Sequence, residues 1–193
     1  MNMKKTPFNK RKIEKLVREL IVQLGENPDR EGLLGTPERM ADMYEEIFAG
    51  YCMNSELEIS FSEEVDSIIA KDIQFYSMCE HHMLPFFGRI HIAYTPSGKV
   101  FGISKLARLV EKYSKRLQIQ ERLTKEIADE IMKMGVKGVT VIAVGEHLCM
   151  KMRGVRNDST IITIANRGLV DQSDARAHLL AQIYDSKPKA HTV

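Results

Sequence analysis

Apolar positions recur at helical spacing over residues 10–24, where Ile13, Leu16, Val17, Leu20, Ile21 and Leu24 share a face. Gly25 stands where that helix would close, because glycine readily takes the left-handed backbone of a C-terminal cap. A second stretch, GTPERMADMYEEIFAG, lines Met40, Met43, Tyr44 and Ile47 along one side. Thr36 is its expected N-cap, Pro37 suits the first helical position, and Gly50 can close it. These helices predict an N-terminal helical appendage over residues 1–55, followed by a larger domain over 56–193.

From about residue 56 the period shortens towards two. GRIHIAYT alternates Ile90, Ile92 and Tyr94 with Arg89, His91 and Ala93, the pattern of a half-buried strand, and TPSGK then carries turn chemistry. Helical spacing returns with Leu106, Leu109, Val110 and Tyr113 behind a Ser104 cap. It continues through Ile119, Leu123, Ile127, Ile131 and Met134 to Gly135. GVTVIAVGEHLCMKMRG is strand-like, STIITIANRG is its expected partner, and DQSDARAHLLAQIYDSK reads as a closing helix. Helices, two strands, two helices, two strands and a helix make an α+β domain: a four-stranded antiparallel sheet with two helices on one face. Such a sheet leaves edges that an oligomer can pair.

Composition narrows the field modestly. The 193 residues are 44% hydrophobic and 28% charged, with a formal net charge of +2, which does not mark a dedicated nucleic-acid binder. No apolar run approaches the roughly 20 residues that span a bilayer, and no apolar signal core follows the basic MNMKKTPFNKRK. The stretch KKTPFNKRK reads as a solvated tail. Three cysteines, Cys52, Cys79 and Cys149, do not suggest a disulfide framework and fit a reducing cytoplasm.

The chemistry gathers in FYSMCEHHMLPFFG and GEHLCMKMRG. Cys79 and His82 have metal-ligand spacing, and Cys149 beside a second histidine offers another thiolate. Two thiolates and one imidazole would hold zinc with a fourth position open to water, as in catalytic sites. Against this stands the ordinary role of a free cysteine as a small buried hydrophobe, the role assigned to Cys52. His81 and His147 are left beside the two ligand segments, as proton shuttles or as hydrogen-bonding and ligand-orienting groups. Neighbours in an extended chain point to opposite sides, so His81 need not face a metal with His82.

Ser104, Lys105 and Arg108 open a helix, and a helix N-terminus with two cations favours phosphate. Arg153, Arg156 and Arg167 add positive charge beyond Cys149; solvated surface charge is the alternative for each. Gln120 and Glu121 start another helix, where a carboxylate can accept two N–H bonds from a guanine edge or complement the helix dipole.

Taken together, GTPERMADMYEEIF, FYSMCEHHMLPFFGRIHIAY, GISKLARLVEKYSKRLQIQERLT and HLCMKMRGVR resemble GTP cyclohydrolase I over roughly residues 10–185. The resemblance implies a tunnelling fold (T-fold) and a zinc enzyme that opens pterin and tetrahydrofolate biosynthesis. Its reaction turns GTP and water into formate and 7,8-dihydroneopterin triphosphate. It further implies Cys79, His82 and Cys149 as zinc ligands, His81 and His147 as proton-transfer groups, and Ser104 near the later ring rearrangement. Gln120 and Glu121 would read guanine, Lys105, Arg108 and Arg153 would contact the triphosphate, and Arg39 matches a further substrate-binding arginine in the N-terminal helix motif. The implied assembly is a decamer of two pentamers whose active sites draw on neighbouring subunits, in the cytoplasm and without nucleic acid or membrane as partner.

Three features depart from the family pattern: Asp42 where many relatives are basic, His178 where glutamate is frequent, and a less typical RNDSTIITIANRG. Competing readings are another pterin- or deazapurine-processing enzyme of the same fold, a zinc base deaminase, and a catalytically silent nucleotide-binding protein. The nitrile reductase branch uses a cysteine nucleophile without the zinc triad, no P-C-x-x-C segment marks a deaminase, and both histidines weigh against a silent protein.

Overall fold

The computed structural model describes residues 8–53, 59–168 and 181. The expected closing helix, apart from Ala181, and His178 lie outside the described residues. The chain divides into two compact units, Met1–Met53 and Asn54–Val193.

The first unit pairs helix α1 (Lys10–Gln23) with helix α2 (Thr36–Ile47). The Asn9 side chain caps α1 by accepting from the Lys12 N–H at 3.0 Å. At the other end Gly25 has φ 84°, and the N–H groups of Gly25 and Glu26 return to the carbonyls of Val22 and Ile21. That double return satisfies carbonyls the helix leaves open, and only a residue tolerant of positive φ permits it. Gly35, not Thr36, is the N-cap of α2; Thr36 is its first residue and accepts from Arg39 Nη2 at 3.1 Å. Val17, Ile21 and Ala41 are buried. The basic N-terminal stretch is not wholly a tail, because Lys10 begins α1 and its Nζ bridges Asp42 at 3.0 Å and Glu45 at 2.6 Å.

The second unit is built on a sheet of four long antiparallel strands. They are β2 (Ile68–Cys79), β3 (Pro85–Thr95), β6 (Gly138–His147) and β7 (Ile161–Gly168), adjacent in that order. A fifth strand, β5 (Leu117–Gln118), runs parallel to the end of β2. Two residues are too few to show alternation, so the expected four-stranded sheet lacked it. Strands β1 (Ile59–Ser62) and β4 (Lys99–Phe101) form a separate antiparallel pair.

Helices α3 (Ile103–Ser114) and α4 (Gln120–Lys133) bury Leu106, Leu109, Val110, Leu123, Ile127 and Ile131 in one cluster with Phe86, Ile90, Ile92, Val139 and Val141. Each fully buried side chain of this size contributes about 1.5–3 kcal/mol over exposure. Gly102 in extended backbone precedes α3 as its N-cap, placing Ser104 inside the first turn instead of at the cap. Strand β3 is buried on both faces, not half-buried: His91 is 3% exposed and Ile142, opposite it on β6, is 0%. A buried imidazole needs a partner, and Nδ1 of His91 accepts from the Asp72 N–H at 3.2 Å across an irregularity in β2. Burial pushes His91 below the usual histidine range.

Among the described residues no helix is long and apolar enough to cross a membrane. Gly88 on β3 pairs with Gly145 on β6. A Cβ on Gly88 would run into the Val144 carbonyl oxygen and stand 2.9 Å from the Gly145 Cα, both rigid backbone atoms. Gly88→Ala is therefore expected to destabilise the fold by about 1–3 kcal/mol, read as a lower urea midpoint at unchanged slope.

Candidate active site

The end of β2 and the start of β3 make a closed hairpin tip. Cys79 donates its N–H to the Leu84 carbonyl at 2.9 Å and accepts from the Met83 N–H at 2.8 Å, with Met83 at φ 51°. Residues 80–82 therefore turn tightly and do not alternate as a strand would. His81 and His82 both bring Nδ1 to 4.0 Å from Cys79 Sγ. Strand β6 stops at His147, and helix α5 (Leu148–Lys151) turns Cys149 towards the tip; Cys149 is thus not in the strand expected for it.

The ligand atoms of Cys79, His82 and Cys149 lie within 4.8 Å of one another. Cys79 is buried, Cys149 half-buried and His82 exposed, so the cluster opens to one side. Burial and the adjacent Cys79 push the Cys149 thiol up: two sulfurs in one apolar corner resist joint ionisation without a cation. Two soft thiolates and an imidazole at this spacing fit a zinc ion with a position to spare. Cys52 lies in the first unit and is exposed, not the small buried hydrophobe expected of it.

His147 is held from two sides. Its ring stacks on Phe86 with centroids 4.7 Å apart and planes 5° from parallel, and its Nε2 meets Gln120 Oε1 at 2.8 Å. Gln120 is 1% exposed, and its Nε2 donates to the carbonyls of Ala143 at 3.0 Å and Ile161 at 2.9 Å. With the amide hydrogens so engaged, Oε1 must accept, so His147 donates from Nε2 and exchanges protons at Nδ1. Room for this amide exists because Gly145 lacks a side chain; a Cβ there would meet Gln120 Oε1. Burial lowers the His147 pKa against the upward pull of the Glu121 carboxylate, which stands near it and is itself exposed.

Sequence reasoning left Glu80 without a role. Its carboxylate takes a two-pronged grip from Arg122, with Oε2 to Nη1 at 2.5 Å and Oε1 to Nη2 at 3.0 Å. Arg122 holds the Glu80 carboxyl below the usual range. No local sequence signal connects residues 42 positions apart.

The remaining basic candidates are dispersed. Ser104, Lys105 and Arg108 lie in the first turns of α3; Arg108 also lines a cleft of about 460 Å³ with Phe75, Tyr76 and Lys115, containing none of the ligand residues. Arg153 is exposed in the loop after α5 and exerts a downward pull on the Cys149 pKa. Lys151 braces that loop by pairing with Glu146 at 2.9 Å and Asp158 at 2.7 Å. Arg167 is paired with Asp129 on α4 at 2.6 Å. Arg39 belongs to the first unit and is exposed.

An open Cys–His–Cys cluster, with an anchored histidine two residues before Cys149, defines a class: sites whose side chains could hold a metal ion. The family model for GTP cyclohydrolase I matches residues 13–184, and the chain belongs to that family. It is 55% identical over 163 residues to GTP cyclohydrolase 1 of Hyperthermus butylicus, covering 84% of each chain. Against the Clostridium perfringens protein of that name it is 52% identical, over 86% of this chain and 94% of the other. Against that of Carboxydothermus hydrogenoformans it is 52% identical, over 93% and 97%. A solved structure of an archaeosine synthase QueF-Like covers 56% of this chain at TM-score 0.45 and 17% identity, too loose a likeness to define the fold.

Cys149→Ser exchanges a thiolate for a hydroxyl in the cluster. It is expected to lose stoichiometric zinc after dialysis, measured by atomic absorption, while Cys52→Ser retains it.

Proposed function

We propose that this chain is a zinc-dependent GTP cyclohydrolase I, converting GTP and water into formate and 7,8-dihydroneopterin triphosphate. The observation that carries the reading is the Cys79–His82–Cys149 cluster next to His147, in a chain about half identical to curated relatives over most of its length. Cys79, His82 and Cys149 would hold the metal. When bound, zinc supplies Lewis-acid activation of water at neutral pH.

The protein's own groups do the rest. His147, its Nε2 committed to Gln120, offers Nδ1 to move a proton to and from the purine N7 as the imidazole ring opens. His81 is the second proton carrier, at the rim of the same hairpin tip. Glu121 accepts from the N1–H and 2-amino donors of guanine, which adenine lacks. Gln120 is assigned with Glu121 to guanine recognition, and its side chain also holds His147. Lys105, Arg108 and Arg153 are assigned to the triphosphate, Arg39 to substrate binding as the further arginine of the N-terminal helix motif, and Ser104 to the later rearrangement of the ribose carbons and ring closure.

In this reading residues 56–193 form the catalytic domain, a tunnelling fold, and residues 1–55 a helical appendage. Active sites complete themselves between subunits of a decamer of two pentamers. The enzyme acts in the cytoplasm at the entry to pterin and tetrahydrofolate synthesis.

The direct test incubates metal-replete protein with GTP and follows formate together with the fluorescence of the oxidised pterin; absence of formate overturns the proposal. His81→Ala is expected to keep its zinc and lower kcat about 10²–10⁴-fold. His82→Ala is expected to lose the metal itself, and equal zinc loss in both variants would refute this division of labour.

A further inference from the structure

The hairpin tip that carries Cys79, His81 and His82 joins β2 to β3, and two hydrogen bonds to the Cys79 backbone close it locally. Neither bond fixes where the tip sits relative to the rest of the site. Two other links do. The Glu80 N–H donates to the Gln118 carbonyl at 3.0 Å, and the Glu80 carboxylate grips Arg122 through both guanidinium nitrogens. Arg122 lies in the first turn of α4, the turn that begins with Gln120 and therefore with the anchor of His147.

We infer that Glu80 and Arg122 are positioning residues: their paired contact sets the metal-binding tip against the start of α4, and with it the spacing between metal ligands and His147. The inference rests on the metal assignment proposed above. A bidentate arginine–carboxylate pair suits the task because two parallel hydrogen bonds fix orientation as well as distance, which a point charge cannot. The pair acts through Cys79 and His82, from Glu80, one of the two residues between them in sequence, and touches no reacting atom. Conserving the spacing this way matters because a ligand cluster spread over a turn and a separate helix has no covalent frame of its own.

Charge alone offers a rival explanation, and the two differ in sign. Removing the Glu80 anion weakens cation binding on either account. Removing the Arg122 cation should tighten it if only Coulomb attraction operates, and weaken it if the pair holds the ligands in place.

The test measures zinc affinity of the full 193-residue chain by competition with a chromophoric chelator, in the absence of GTP. Arg122→Gln and Glu80→Gln are each expected to weaken zinc about 10–100-fold, with the double variant no worse than either single one. The cobalt-substituted variants should also lose intensity in their visible d–d bands, the signature of a disturbed tetrahedral ligand set. Arg122→Lys, which keeps the charge without the fork, is the companion variant should Arg122→Gln not fold, and it too is expected to bind zinc more weakly. Unchanged or tighter zinc binding in Arg122→Gln, or wild-type affinity in Arg122→Lys, overturns the inference. If the unmodified chain fails to bind zinc, the metal assignment itself falls, and the two failures are thereby told apart.

Discussion

The chemistry of this molecule depends on a turn of five residues. Where β2 ends, the Cys79 N–H and carbonyl are taken up by Leu84 and Met83, and Met83 adopts the left-handed region that a tight closure demands. That closure removes the strand alternation which would have sent neighbouring side chains to opposite faces. It is why Cys79, His81 and His82, consecutive or nearly so, converge instead of diverging. A longer loop would pay more entropy to hold the same atoms together.

The second organising element is a buried amide. Gln120 is wrapped by Ala143, Ile161 and His147, so its desolvation is offset by partners at each polar atom. Thr124 adds to the same knot: its hydroxyl donates to the Gln120 backbone carbonyl at 2.7 Å and accepts from the Thr163 hydroxyl. The glycine at position 145 leaves the space the amide fills. Core packing, strand composition and the tautomer of one histidine are thus a single problem in which each part presupposes the others. The Glu80–Arg122 contact ties that knot to the hairpin tip.

Several elements were legible in the residue pattern for physical reasons. Helices α3 and α4 repeat apolar positions every three to four residues, and β3 and β6 are long enough for strand character to show. Other features escaped the pattern. Strand β5 has two residues, and the phase of a single turn such as α5 cannot be read from so short a run. The caps of α2 and α3 moved to Gly35 and Gly102 because helix ends follow backbone conformation, not only the nearest hydroxyl. His91 reads as polar and solvent-facing, yet an irregularity in β2 supplies a backbone donor to its buried ring.

By itself, the sequence determined which residue types were available and how they were grouped: a C-x-x-H tip, a distant thiol beside a histidine, and helices with one apolar face. Those properties are local, set by side-chain chemistry and by the periods of helix and strand. Only the tertiary structure decided that Cys149 reaches the tip through a helical turn, that Gln120 faces inward to His147, and that Glu80 meets Arg122. These are contacts between segments far apart in the chain. Their geometry depends on how the sheet and helices pack, and no local period encodes that.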